Sequence, residues 1–435
     1  MRFSGYLLLM LLPLTTWAQD IVPATVTGEM PPMGLTTEPT FTNLMIANLS
    51  LGTAYDDYAA ATPKTGRIPD FQYYVLPGFG FQQTRRQVSW SLSYSPGLST
   101  SQRFSERGRF TQGAHADINY RITPRLVLHI RQDYTASSYP FEPLASNPFL
   151  PQLGPLNGPN NSTVLPRTRQ VSRISNASIT YRVSAHSAVG VTGSFSDVSY
   201  GETAGAPSGT AFIGSRSTDG SAFFFHQFSP RQSIGIEYQL LNVSFPHNPS
   251  HTVVNTFLVT HRMNLSSRSS FDLFIGPEYS RTHDQIALNP LFFVQHFQLF
   301  QTGWSVAGGA TYTWNGTHTA FQASYARHIT DGGGLFGAVR MNSGSIQLQR
   351  QLSRRWNGDL GADIADNHLL NLSQADLALR TVTARAGVRR ELSKNLWLRA
   401  SYARVRQTGG LSSLVGDHNR GEVSLSYQFR KPIGR

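Results

Sequence analysis

Val423, Leu425, Tyr427 and Phe429 alternate with Ser424, Ser426 and Gln428 near the end of this chain. That period of two returns almost throughout. "QVSWSLSY" puts Val88, Trp90, Leu92 and Tyr94 against Gln87, Ser89, Ser91 and Ser93. "RLVLHIRQDY" puts Leu126, Leu128, Ile130 and Tyr134 against His129, Arg131 and Asp133. "SIGIEYQL" and "WNGDLGADI" repeat the pattern with Ile234, Ile236, Tyr238 and Leu240, then Trp356, Leu360, Ala362 and Ile364. Alternation of this kind places one face of a β-strand in an apolar medium and the other in a polar one, and helical spacing fits none of the stretches.

The punctuation is regular too. "YRITPRLVLHI", "YRVSAHSAVGV", "HQFSPRQSIGI", "TWNGTHTAFQA", "RQLSRRWNGDL" and "RRELSKNLWLR" each read strand, short polar turn, strand. "FQQTRRQVSWSL" and "HRMNLSSRSSFDLF" complete a set of eight turns, near 84, 122, 184, 229, 265, 314, 353 and 393. The connections between them are longer and variable. Eight hairpins plus a first strand near 45–56 and a last at 422–430 give 18 antiparallel strands, or 16 if the least regular first two drop out.

Many of these strands run to ten residues or more, against about 5–6 in soluble sheets and roughly 9–11 for a membrane-spanning strand. Only 14% of the residues are charged, whereas 11% are aromatic and mean hydropathy is −0.25. Tyr120, Tyr134, Trp356 and Trp397 fall near strand ends, as in an interfacial aromatic girdle. In hydrocarbon every backbone N–H and C=O must be paired, so such a sheet has to close. The expected fold is therefore all-β: a single antiparallel up-and-down transmembrane β-barrel over 43–430, with short periplasmic turns and long extracellular loops.

The ends read differently. Arg2, the apolar run Tyr6–Leu14 and the small-residue sequence Thr16–Ala18 form a secretory signal peptide over 1–18, with cleavage expected after Ala18. Residues 19–42 are Pro- and Thr-rich and aperiodic, a flexible periplasmic lead. At about 25 residues it is too short to plug a barrel as an energised receptor does. Residues 431–435 form a short tail. There is no cysteine, and the net charge of +12 comes almost wholly from arginine, Lys64, Lys394 and Lys431 being the only lysines. With an export signal, that charge points to anionic lipid head groups, acidic sugars or acids within the protein, and not to nucleic acid.

The C-terminal strand resembles the ending of bacterial outer-membrane barrels, in which alternating apolar and aromatic residues with a terminal Phe are read by the barrel assembly machinery. Val423, Leu425, Tyr427 and Phe429 match that signal, and "RKPIGR" after them departs from it. "LGTAYDD", "VLPGFGF" and "WSLSYSPG" resemble the putative β-barrel porin type 2 group. That likeness implies a part in exopolysaccharide export. Outer-membrane lipid and lipopolysaccharide are the implied surroundings in a Gram-negative-type bacterium.

No catalytic or cofactor motif accompanies this pattern. "GFGFQQ" lacks the third glycine and following helix of a dinucleotide loop, and "GAPSG" is not a nucleophile elbow. No cofactor, no metal and no enzyme activity are expected. The polar face carries more information. Ile118, Tyr120 and Ile122 share parity with Leu126, Leu128 and Ile130, so their hairpin loop holds an odd number of residues. Centring it on Pro124 sets Asp117 opposite Arg131 and His115 opposite Asp133. Centring it on Thr123 sets Asp117 opposite His129 and His115 opposite Arg131. The first is preferred because both acids gain basic partners.

A luminal charge ladder is therefore expected from His115, Asp117, His129, Arg131 and Asp133, with Arg121, Arg182, Glu237, Arg385 and Arg399 on other strands. Such charges either satisfy one another and stiffen the wall, or line a path favouring small anions or acidic polysaccharide. The Pro-rich connection 137–168 is expected to cover the outer rim in preference to folding into the pore. "NPLFFVQHFQLF" at 289–300 is expected to end as the base of the next strand. The leading function is a porin-like channel for polar or anionic solutes. A closed structural or adhesive barrel and a barrel hydrolase acting on lipid or surface polymer are the rivals.

Overall fold

Alternating strands with no apolar interior to share can bury their backbone polar groups only by pairing around a ring, and that is the architecture found. The computed structural model describes residues 43–62, 66–103, 109–137, 160, 162, 169–201, 212–246, 248–288, 295–335, 337–370, 378–409 and 416–433. Its first nine strands are β1 (Asn43–Thr62), β2 (Gly66–Thr84), β3 (Val88–Ser101), β4 (Arg109–Arg121), β5 (Leu126–Ser137), β6 (Gln170–Arg182), β7 (Ser187–Tyr200), β8 (Ser215–Ser229) and β9 (Gln232–Phe245). The second nine are β10 (Asn248–Ser266), β11 (Ser269–Leu288), β12 (Gln295–Asn315), β13 (Thr319–Thr330), β14 (Val339–Gln351), β15 (Trp356–Leu369), β16 (Ala378–Ser393), β17 (Leu396–Gly409) and β18 (Gly416–Pro432).

Each strand pairs antiparallel with its neighbours in sequence, and β1 pairs with both β2 and β18, so the 18-stranded sheet closes. All eight short turns fall at one end of the barrel, here the turn end. The other nine connections lie at the loop end. The strand starting at Gln295 is the expected continuation of the apolar 289–300 segment. The last strand runs on to Pro432, opposite Leu44, and so takes in two residues assigned to the tail. The signal peptide, the 19–42 lead and "GAPSG" lie outside the described residues.

Parity sorts the side chains. Leu92, Tyr94, Ile118, Ile130, Val191, Ile236, Tyr238, Ile275, Ile346, Leu360 and Tyr402 are all exposed although large and apolar. Their neighbours Ser93, His115, Arg131, Thr192 and Glu237 are polar yet buried. This inverts a soluble protein: the apolar face is outermost and the polar face lines the interior. Exposed apolar surface on this scale is stable only against lipid. Val423, Leu425, Tyr427 and Phe429 belong to that outer face. Trp356 and Tyr120 sit on it near the turn end, and the Arg390 guanidinium lies 5.2 Å from the centre of the Trp356 ring. Trp397 does not join this girdle. It is opposite Ser426 and has inward parity, because Leu398 takes the outward position.

Candidate functional site

The register of β4 on β5 is the preferred one, with His115 opposite Asp133 and Asp117 opposite Arg131 across a loop centred on Pro124. The side chains then settle differently from a simple ladder. His115 Nδ1 lies 2.7 Å from Asp133 Oδ1, and Arg131 Nε donates to Asp133 Oδ2 at 2.7 Å along its own strand. Asp117 is engaged diagonally by His129 Nε2 at 2.6 Å. Arg131, through its Nε, thus shares Asp133 with His115.

Arg385 and Arg399 also face inward and meet acids: Arg385 Nη2 donates to Asp363 Oδ2 at 2.6 Å, and Arg399 lies 3.6 Å from Asp359. Arg262 and Asp272 form a further luminal pair at 2.5 Å. Arg121 and Arg182 have inward parity at the turn end, and Glu237 is inward and buried mid-wall. All ten sequence-derived residues therefore share the inner face. Seven of them meet opposite charges in small local groups around it: His115 and Arg131 on Asp133, His129 on Asp117, Arg385 on Asp363 and Arg399 on Asp359, the arrangement of a wall whose charges compensate one another.

A further luminal feature comes from elsewhere. Between β13 and β14 the chain at 331–335 and 337–338 bends into the barrel. Ile329 leaves the wall, and its N–H donates to Glu278 Oε2 on β11 at 3.1 Å, which places the end of β13 inside β12. Ile329 and Ala338 pack on Val254, with Leu241 and Leu370 at the edge. Leu335 and Val339 pack with Leu369 and Leu379, flanked by Tyr200 and Phe212. The carbonyl of Gly334 accepts from Ile213 N at 3.2 Å, ahead of β8. The segment thereby crosses the lumen from β13–β14 to the β8 side.

Asp331 anchors it. Its carboxylate accepts from Ser215 Oγ at 2.6 Å and from Asn160 N at 2.7 Å. Asn160 Nδ2 donates to the Asp331 carbonyl at 3.2 Å and to Asn367 Oδ1 at 3.0 Å, and Asn367 Nδ2 donates to Ser162 Oγ at 2.8 Å. Asn160 is 4% exposed and Asn367 fully buried. The Pro-rich connection therefore brings Asn160 and Ser162 against the inner face, where the expected position was the rim, because the Asp331 carboxylate accepts from the Asn160 N–H and the Asn367 amide bonds both side chains. The rest of 137–168 lies outside the described residues.

Burial pushes the Asp331 carboxyl above its ordinary range, and the bonds it accepts offset this only in part. Glycine is required beside it. Gly333 has φ 58° and Gly334 φ 97°, and a Cβ on Gly333 would lie 2.5 Å from the Asn160 carbonyl oxygen. The sequence signal, "TDGGGLFGA", is a run of glycines between an acid and apolar residues, which reads locally as an ordinary loop.

Below this segment is a cavity of about 40 Å³, lined among others by Asp219, Glu278, His328 and Asp331 with Val254, Leu258 and Phe274. It has room for a few waters. No cluster of ligands suited to a metal ion occurs among the described residues. The Ser187 Oγ–His226 Nδ1 contact of 2.9 Å is on the outer face at the turn end, and His226 forms no ion pair among the described residues, so it lacks the acid that would orient a hydrolytic base.

No protein-family model matches the chain, and no curated protein does. Among solved structures it is similar to Pseudomonas aeruginosa OpdQ, at 11% identity over 89% of this chain and 99% of that one, with a TM-score of 0.44. The ferric-catecholate import receptor Fiu from E. coli K12 matches at 8% identity, 91% and 82% coverage and a TM-score of 0.46. The P. aeruginosa outer membrane protein OpdK matches at 10% identity, 89% and 99% coverage and a TM-score of 0.44. The barrel assignment rests on the closed strand ladder itself.

Proposed function

We propose that this chain is an outer-membrane, porin-like channel for polar solutes, narrowed at its loop end by the Asp331 segment. One observation carries the reading: a largely polar inner face, with opposite charges in contact along the wall and, among the described residues, a hydrogen-bonded segment across it. Eighteen strands enclose more space than side chains can fill. The wall supplies Ser, Thr, Asn and Gln side chains together with carboxylate acceptors, which suits hydroxyl-rich molecules such as sugars.

Arginines of inward parity at the turn end, Arg121, Arg182 and Arg389 among them, would favour anions. The buried carboxylates of Asp219, Glu278 and Asp331 nearer the loop end oppose anion passage. Neutral sugars therefore fit better than small anions or acidic polysaccharide. Polysaccharide export remains a special case of the same path, in which the cargo is a hydroxyl-rich chain.

Swelling of liposomes containing the protein tests this. Glucose should enter faster than gluconate, which has the same six-carbon chain. Equal swelling by both would remove the role given to the carboxylates, and faster gluconate entry would favour the anion path. No swelling with either sugar would leave a closed structural barrel as the better reading.

A further inference from the structure

The end of β13 parts from the strand beside it. β12 pairs with β11 along its whole length, from Trp314 opposite Ser269 to Gln295 opposite Leu288. With β13 it pairs only from Asn315 opposite Ala320 to Gly308 opposite Arg327. β13 nevertheless stays extended, and its ladder with β14 runs on to Thr330 opposite Val339. Among the described residues, β12 beyond Gly308 therefore has no strand partner on the β13 side.

The residues past the break still carry the pattern of a wall strand. Continuing the same register would set His328 opposite Ala307, Ile329 opposite Val306 and Thr330 opposite Ser305. Ile329 would then join Val306 and Trp304 on the outer face, where both are exposed, Trp304 at 74%. His328 and Thr330 would line the lumen beside Ser305. That alternation is the one selected by lipid on one side and water on the other. Hydrogen bonding fits as well. The turn bond from Gly316 N to the Thr319 carbonyl, 2.7 Å, makes every second pair a hydrogen-bonded one, and Ile329 with Val306 falls among them.

In the structure this register is unused. The Ile329 N–H donates instead to Glu278 Oε2 at 3.1 Å, and Ile329 packs with Ala338 on Val254 of the inner wall. Arg327 and Arg340 share the face of Ile329 on the β13–β14 hairpin, so they turn inward with it, and their charges act on Glu278. One stretch of chain thus suits two positions. Docked inside, its N–H and its arginines meet Glu278. Zipped onto β12, it would supply the backbone partners of an edge that hydrocarbon leaves unsatisfied.

We propose that the β13 end is the moving part of a gate, docked in the lumen when the pore is constricted and zipped onto β12 when it is open. With the Asp331 segment read as the constriction, on which this gate rests, zipping clears the lumen, because the same register carries Asp331 to Trp304 on the outer lip. Release gives up the Asp331 bonds and the attraction of Glu278 for two arginines, and zipping returns ladder bonds to β12.

Two disulfides distinguish the positions, in a chain with no native cysteine. Val306→Cys/Ile329→Cys is directly cross-strand only when zipped, and Val254→Cys/Ile329→Cys joins side chains that pack together when docked. In lipid bilayers both pairs should close on oxidation. The first link should raise the mean single-channel conductance and remove closures, the second should remove openings, and reductant should reverse both. Trp304→Cys/Ile329→Cys, one step off register on the same face, should link far more slowly. A Val306–Ile329 pair that stays reduced while the Val254–Ile329 pair closes would overturn zipping and leave the constriction standing. Equal linking by the on-register and off-register pairs would overturn it too. Both links closing with no change in conductance would overturn the gate and the constriction together. Glu278→Ala keeps the test decisive if a cysteine pair fails to fold: removing the acceptor that holds Ile329 inside should raise the open fraction, and an unchanged or lower open fraction would overturn the gate.

Discussion

Asp331→Ala should raise the single-channel conductance and remove most closures. The carboxylate ties together Ser215, Asn160 and its own loop, and the loop with the strand ends beside it packs on Val254, Leu369 and Leu379 of the inner wall. Removing it leaves the Ser215 hydroxyl and the Asn160 N–H without their buried acceptor, at a cost of about 3 kcal/mol, which lowers the ratio of docked to released loop roughly a hundredfold. Asp331→Asn keeps one acceptor oxygen and should fall between. The same residue sets a pH dependence. Because its carboxyl is held above the ordinary carboxylate range when docked, the docked loop binds more protons than a released one. Docking is therefore strongest at and below the ordinary carboxylate pKa, weakens as pH rises through the raised value, and is level beyond it. Wild-type conductance should rise over that interval, and Asp331→Ala should show no such rise. An unchanged conductance in the alanine variant would mean that the segment is not the constriction.

The second large effect concerns the wall. Ile346 and Gln347 are successive residues of β14, with Ile346 outermost and 53% exposed and Gln347 on the inner face beside Gly361. Ile346→Arg puts a guanidinium in hydrocarbon and should cost about 2–4 kcal/mol if it lies near the bilayer midplane. Gln347→Arg puts the same group in water and should leave folding intact. The folded fraction after refolding into lipid, read from heat-modifiable gel mobility, should fall sharply for the first and not for the second. Equal loss in both would contradict the division of faces.

The fold was legible because its signal is local and repeated. Parity alone assigns Val423, Leu425, Tyr427 and Phe429 to one face, and the short turns count the strands. Even the register of β4 on β5 follows from an odd loop and the placement of two acids. The pairing of Arg385 with Asp363 and of Arg399 with Asp359 joins strands whose relative height depends on the registers of β15, β16 and β17 together, so periodicity within one strand cannot supply it. The constriction was hidden for a stronger reason. Asp331 and Asn160 are 171 residues apart, and neither sits in a periodic stretch. A carboxylate in a glycine run looks like a solvated turn until burial and the Ser215 hydroxyl are seen around it. Trp397 was misplaced because nearness to a strand end was given more weight than parity, which sends it inward.

The most direct measurement of the whole account is a spin-label scan of β18 in lipid vesicles, one cysteine at a time from Val423 to Phe429, in a chain with no native cysteine to confuse it. Collisions with oxygen should peak at 423, 425, 427 and 429, where the side chains meet acyl chains. Collisions with a water-soluble nickel chelate should peak at 424, 426 and 428, where they meet the aqueous lumen. An alternation of the opposite phase, or none at all, would contradict a barrel whose apolar face looks at lipid and whose polar face looks at water.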